Sequence, residues 1–157
     1  MEISTNWADT LKQTYIARGL QAEEICELAK LAHTKNFTSG ENIITCGDPP
    51  TALYVVLAGR VELVTADEDK LMDVGPGNVL GEVGVLSDLP SDIHAVCAGF
   101  TKAAEIPIHP LRELLAHNRH LGFMVLANIA AVLCQRLHAA SVVMHHLHEH
   151  DAWDGSY

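Results

Sequence analysis

Positive charge is scarce in this chain and, over one long stretch, missing: no lysine or arginine occurs between Lys70 and Lys102. Across 157 residues, 10 basic side chains face 20 acidic ones, a formal charge of −10. Such a surface repels phosphate backbones and anionic lipid, so neither nucleic acid nor a membrane surface is expected as a partner. Cysteine is sparse too. Cys26, Cys46, Cys97 and Cys134 lie 20, 51 and 37 residues apart, which gives no Cys-x-x-Cys pair for metal or redox work. Their scatter predicts small buried side chains in a reducing compartment, not a disulfide framework. The longest apolar run, Leu121 to Cys134, has 14 residues, short of the ~20 that a bilayer span needs. Residues 1–17 carry Glu2 and Asp9 and no apolar run, so no signal peptide is expected. A cytoplasmic location follows. Gly-x-Ser-x-Gly, a Walker loop and His-Glu-x-x-His are all absent, and no enzyme is expected.

What is present suits one globular domain. A hydrophobic share of 48% with 19% charged residues supports a core, and the length is short for two domains. Over Gln21 to Leu31, Ile25, Leu28 and Ala29, continuing to Ala32, recur at helical spacing. Glu23 and Glu24 stand where a first turn favours negative charge, so a one-sided helix is predicted.

From Phe37 to Ile108 short apolar runs alternate with turn formers: Ser39-Gly40, Gly47-Asp48-Pro49-Pro50, Gly59, Asp67 to Lys70, and Gly75-Pro76-Gly77. That punctuation predicts an antiparallel β sandwich or barrel, with Asp67 to Lys70 as a hairpin tip. A short helix is predicted from Pro110 to Leu115, with proline in its first turn. A long one follows from Arg119 to about His148. Within it Phe123, Leu126, Ala130, Leu133, Leu137, Ala140, Met144 and Leu147 advance by 3, 4, 3, 4, 3, 4, 3. This heptad seam predicts pairing with a second copy, a homodimer. Val125, Ile129, Val132 and Val143 form a second apolar set that would pack on the barrel. The alternative is a single helix buried in its own domain.

The segments Phe37–Ile44 with Gly47-Asp48, Leu53–Leu63, Gly75–Leu86 and Glu105–Leu115 together resemble the cyclic-nucleotide-binding domain family, in the form of the effector domain of catabolite activator proteins. The resemblance runs from about Leu20 to His148. It implies a mainly β fold with flanking helices, a double-stranded β-helix or jelly-roll barrel followed by a long C-terminal helix. The expected organisation is an extension over 1–19, the domain over 20–148 with its dimerisation helix at 119–148, and a tail over 149–157. Relatives that regulate transcription add a helix-turn-helix domain, for which the nine residues beyond His148 leave no room.

The resemblance also implies a phosphate-binding cassette. In the family, Gly-Glu opens a short helix whose N–H groups meet the cyclic phosphate, and the glutamate takes the ribose hydroxyl. Gly81, Glu82 and Val83 stand at those places. About nine or ten residues later the family has an arginine that pairs with the phosphate. Here one alignment puts Ser91 at that place and another puts Asp92 there, with His94 the nearest group able to charge positively. A carboxylate in place of a guanidinium turns attraction into repulsion. Cyclic AMP or cyclic GMP is therefore an unexpected ligand. Three readings stay open: weak cyclic-nucleotide binding, a pocket retuned for a neutral or cationic small molecule, and a ligand-free dimerisation or interaction scaffold that works through a protein partner. Gln135 and His138 on the long helix are candidate contacts from above. No cofactor is implied with certainty.

Histidine is abundant, ten in all, and His138, His145, His146, His148 and His150 crowd the C-terminus. Such spacing suits metal ligands on a helix. Histidine also complements the negative end of a helix. No metal site is assigned.

Overall fold

The computed structural model describes the backbone of residues 5–151 and the side chains of 7–147. Three helical pieces lead in: α1 (Thr5–Gln13), a 3-10 turn (Tyr15–Ala17) and α2 (Ala22–Leu31). Among the described residues, eight strands follow. They are β1 (His33–Phe37), β2 (Asn42–Ile44), β3 (Ala52–Ala58), β4 (Val61–Thr65), β5 (Lys70–Val74), β6 (Val79–Leu80), β7 (Ile93–Cys97) and β8 (Thr101–Pro107). A one-turn helix, α3 (Val83–Leu86), separates β6 from β7, and α4 (Ile108–His117) and α5 (Arg119–Asp151) follow β8. Of the predicted hairpin tip, Asp67 to Asp69 fall between β4 and β5 and Lys70 opens β5; the Thr65 N–H donates to the Asp69 carbonyl at 2.9 Å, and the Asp69 N–H donates to Thr65 Oγ1 at 3.1 Å.

The strands make two antiparallel four-stranded sheets, ordered β1-β8-β3-β6 and β2-β7-β4-β5. They face each other across Phe37, Ile43, Tyr54, Val56, Val61, Leu80, Cys97 and Ala103. The first sheet is covered on its other face as well, where Leu53, Val55, Ala104 and Ile106 meet the helices. That double burial explains why β3 is apolar at every position from Ala52 to Val56. The second sheet has its outer face in solvent, and β4 is only partly buried after Val61.

Residues before Leu20 are built into this packing. Trp7, Leu11 and Ile16 belong to the helical core with Leu28, Leu111 and Leu121, and Trp7 Nε1 donates to the Ala29 carbonyl at 3.3 Å. α4 and α5 meet at a tight corner. Asn118 Oδ1 accepts from the Leu121 N–H at 3.1 Å, and a side chain at Gly122 would stand 2.2 Å from the Leu115 carbonyl. Only glycine permits that approach.

α5 is two-sided, as its pattern predicts. Leu121, Val125 and Ile129 are buried in the core, whereas Phe123 is 70% and Leu137 is 69% exposed. Two assignments change. Leu133, read as part of the seam, is half-buried against the chain's own core, and Val143, read as barrel-facing, is exposed because the helix has run past the barrel. Arg119–Leu147 is also long and apolar enough for a membrane span by length and composition, which the 14-residue run did not foretell. Only 11% of that apolar window is buried inside the chain, so the domain covers its first turns and leaves most of its apolar surface exposed. Burial of the cysteines holds for Cys97 alone; Cys26 and Cys134 are exposed, Cys46 is intermediate, and all four are free thiols.

Candidate functional site

Between the barrel and α3 lies a cavity of about 700 Å³. Its walls include Ile44, Tyr54, Leu63, Val74, Leu80 and Ile93, and its polar side chains include Asp48, Glu82, Asp92 and Arg136. The local chain sets this up. β6 ends at Leu80, and Gly81 then takes a positive φ of 82°. A Cβ at Gly81 would sit 2.8 Å from the Ala52 carbonyl, so both conformation and space require glycine. The turn buries Glu82, 6% exposed, at the head of α3. Gly84 and Val85 spend their N–H groups on the Gly81 and Glu82 carbonyls. The donors that remain for a ligand at this turn are those of Glu82 and Val83.

Glu82 already has a partner. The guanidinium of Arg136, reaching down from α5, donates from Nη1 to its Oε1. Glu82 is buried and Arg136 is 59% exposed, so the pair joins an inner carboxylate to an outer cation. Arg136 was not among the sequence-predicted site residues. It lies outside the cation-free stretch between Lys70 and Lys102, and it is the one lysine or arginine in α5 beyond Arg119. Scanning the covering helix for basic residues finds it.

Gly81, Glu82, Val83, Ser91 and Asp92 all line the cavity. Ser91 is held by its own loop: its Oγ donates to the Ile93 carbonyl at 2.8 Å. Asp92 is exposed at the rim. The structure does not bring His94, Gln135 or His138 to the cavity lining. His94 Nδ1 accepts from the Cys46 N–H at 3.0 Å, so its ring is committed to the backbone beside β2. Gln135 and His138 are exposed. Successive residues point about 100° apart on a helix, and Arg136 occupies the face that looks down. Among the described residues, no three His, Cys, Asp or Glu side chains gather as metal ligands; His148 and His150 lie outside the described side chains.

Three further residues frame the site. Arg112 of α4 clamps the far end of α3, with Nη2 donating to the carbonyls of Gly84 (2.6 Å) and Ser87 (3.1 Å) and Nη1 to Asp88 Oδ1 (2.8 Å). Tyr54 donates its hydroxyl to Glu105 Oε1 at 3.0 Å. Burial first, then the charge of Glu105, push that hydroxyl up to about 12. The third, Tyr15, belongs to the 3-10 turn and has a buried hydroxyl with no hydrogen-bond partner among the described residues.

Comparison with known proteins fits this geometry. Residues 34–118, more than half of the chain, match the cyclic nucleotide-binding domain family. Glutaminase 2 of Bradyrhizobium diazoefficiens is 27% identical over 127 residues, which is 78% of this chain and 19% of that protein. The chain thus spans about a fifth of the curated relatives it matches first. The catabolite activator protein of Thermus thermophilus superposes with a TM-score of 0.74 at 27% identity, covering 85% of this chain and 63% of that one. The fold is shared by a regulatory subunit of a cAMP-independent protein kinase A from Trypanosoma cruzi, solved with guanosine. That match has a TM-score of 0.64 at 24% identity and covers 70% of this chain and 40% of that one. The chain belongs to the cyclic nucleotide-binding domain family.

Proposed function

We propose that the domain is a non-enzymatic, cytoplasmic sensor of a small molecule, and that the ligand is neutral or cationic and of nucleoside size. The observation that carries this reading is the Arg136–Glu82 pair. It engages Arg136, the one lysine or arginine among the described residues that line the cavity, while Asp48 and Asp92 line it as exposed carboxylates. A cyclic phosphate seated at Gly81–Val83 would meet no free positive charge. At 4 Å, one unlike-charge contact is worth about 4 kcal/mol at an effective dielectric of ~20, and a like-charge contact opposes by as much. Apolar walls and Tyr54 suit a flat heterocycle instead. The guanosine held by the Trypanosoma cruzi subunit is a phosphate-free ligand in this fold.

Output would pass through α5, whose exposed apolar residues fit a second copy of the chain. Isothermal titration with cyclic AMP, cyclic GMP, adenosine and guanosine tests the ligand class. Micromolar binding of a nucleoside with no heat from either cyclic nucleotide supports the reading; micromolar binding of a cyclic nucleotide overturns it. If none binds, a thermal-shift screen of uncharged and cationic metabolites follows. A flat screen leaves the scaffold reading, in which the seam on α5 is the purpose of the domain.

A further inference from the structure

We infer that the Glu82 end of the cavity is a cation subsite: the chain's own Arg136 fills it, and the ligand that takes Arg136's place is a small organic cation with a planar amidinium or guanidinium group. This deepens the proposed sensor function and rests on it, narrowing the ligand from neutral or cationic to cationic. The carboxylate is built in. Glu82 is 6% exposed at the head of α3, behind a glycine whose replacement would strike the Ala52 carbonyl. The cation is lent from outside. Arg136 belongs to α5, its side chain is 59% exposed, and it reaches Glu82 through a single donor, Nη1 to Oε1. Both residues line the same cavity. Much of the remaining polar lining offers acceptors. Asp48 and Asp92 line it as exposed carboxylates. Two hydroxyls have their protons committed elsewhere: Ser91 Oγ donates to the Ile93 carbonyl at 2.8 Å, and Tyr54 donates to Glu105 Oε1 at 3.0 Å. A ligand that brings N–H donors and positive charge fits such a lining; one that brings negative charge does not.

The exchange is balanced at both ends. Withdrawing Arg136 alone would strand a buried carboxylate, but an incoming amidinium takes that carboxylate over as Arg136 leaves. The displaced guanidinium is already more than half in solvent, so it loses little. The ligand also has a geometric advantage: a planar fork can engage both oxygens of Glu82, where Arg136 donates to one. A flat ring behind the fork would lie among the apolar walls formed by Ile44, Leu63 and Leu80. Occupation by such a ligand unties α5 from α3, the step through which the helix would register it.

The test is isothermal titration of the full chain with benzamidine, a flat ring bearing an amidinium, and with benzamide, its uncharged counterpart. The proteins are the wild type, R136M, R136A as a second way to vacate the subsite, R136M combined with E82Q, and K12M, which removes one positive charge outside the cavity lining. Benzamidine is expected to bind R136M and R136A about tenfold or more tightly than wild type, because no internal cation competes. Adding E82Q should abolish that gain, K12M should match the wild type, and benzamide should gain nothing from the loss of Arg136. Equal benzamidine affinity in the wild type and the folded Arg136 variants overturns the inference. So does an absence of binding to both variants, a gain that survives E82Q, or an equal gain in K12M. The sensor reading fails separately. A wild type that binds no small molecule, beside an R136M protein that takes benzamidine, keeps the subsite and removes the sensor; a wild type that binds guanosine, with no benzamidine gain in R136M, does the reverse.

Discussion

Arg136 and Glu82, 54 residues apart in the chain, bring the covering helix and the head of α3 into direct contact. The two ends of the pair are not equivalent. Removing the cation leaves a buried carboxylate, whereas removing the carboxylate leaves a largely solvated guanidinium. Arg136→Ala is therefore expected to cost about 1–2 kcal/mol, scaled down from a fully buried pair because the arginine is more than half exposed. Glu82→Gln should cost less than about 1 kcal/mol. Urea unfolding of the two variants checks the order; an equal or reversed ranking would mean that Glu82 is solvated in solution.

Arg112 controls the other end of α3. Its fork satisfies two carbonyls and reaches Asp88, and a lysine offers no such planar pair of donors. Both Arg112→Ala and Arg112→Lys are expected to loosen residues 83–89, at about 1–2 kcal/mol for bonds lost at a charged group. Hydrogen exchange should show faster amides across that segment, with β3 and β8 unchanged. Full protection in the lysine variant would show that charge alone suffices there.

The barrel was legible in the chain because its signals are local. Glycines and prolines at strand ends, the hairpin tip before Lys70, and the 3.6-residue periodicity of the helices each act over a few residues. Gly81 and Glu82 were placed by the family resemblance and not by a local signal, and the structure has a buried carboxylate at Glu82. The cation was not placed, because Arg136 is far off in the chain and meets Glu82 only through the path of α5. Gln135 and His138, the expected contacts from the long helix, point away from the cavity, and the rotation of the helix brings Arg136 to it instead. Burial of Trp7 and Leu11 was likewise hidden, since two apolar residues four apart near a terminus give too short a pattern to weigh.

Glu24 gives a pH dependence of known sign. Burial pushes its carboxyl up, but the Gln21 N–H, His120 and Asn118 outweigh burial and hold it below its ordinary value. The Gln21 N–H donates at 2.9 Å and His120 Nδ1 lies 2.8 Å away. A folded-state value below the unfolded one means that the unfolded chain binds more protons between the two. The stabilisation is thus complete above the unfolded value, about 4.3, and fades as pH falls through the folded one. Glu24→Gln is expected to unfold at lower urea than wild type at pH 7, with the gap closing below about pH 4. A gap that stays constant from pH 7 to pH 3 would assign the loss to packing instead.

The seam on α5 separates assembly from folding because its two faces can be altered independently. Leu137 is 69% exposed in the single chain, and Ile129 on the opposite face is fully buried. If two copies pair along the helix, Leu137→Asp buries a charge only in the dimer, where an unpaired carboxylate is not tolerated. Sedimentation should then show a dimer for the wild type and a monomer for Leu137→Asp, with thermal melting of the variant independent of concentration. Ile129→Ala should do the reverse, keeping the association at native temperature while lowering stability by about 2–5 kcal/mol. Leu133 is unsuited to this test, because it also packs on the chain's own core. A wild-type monomer at high concentration would remove the dimer and leave the exposed face of α5 to a different protein.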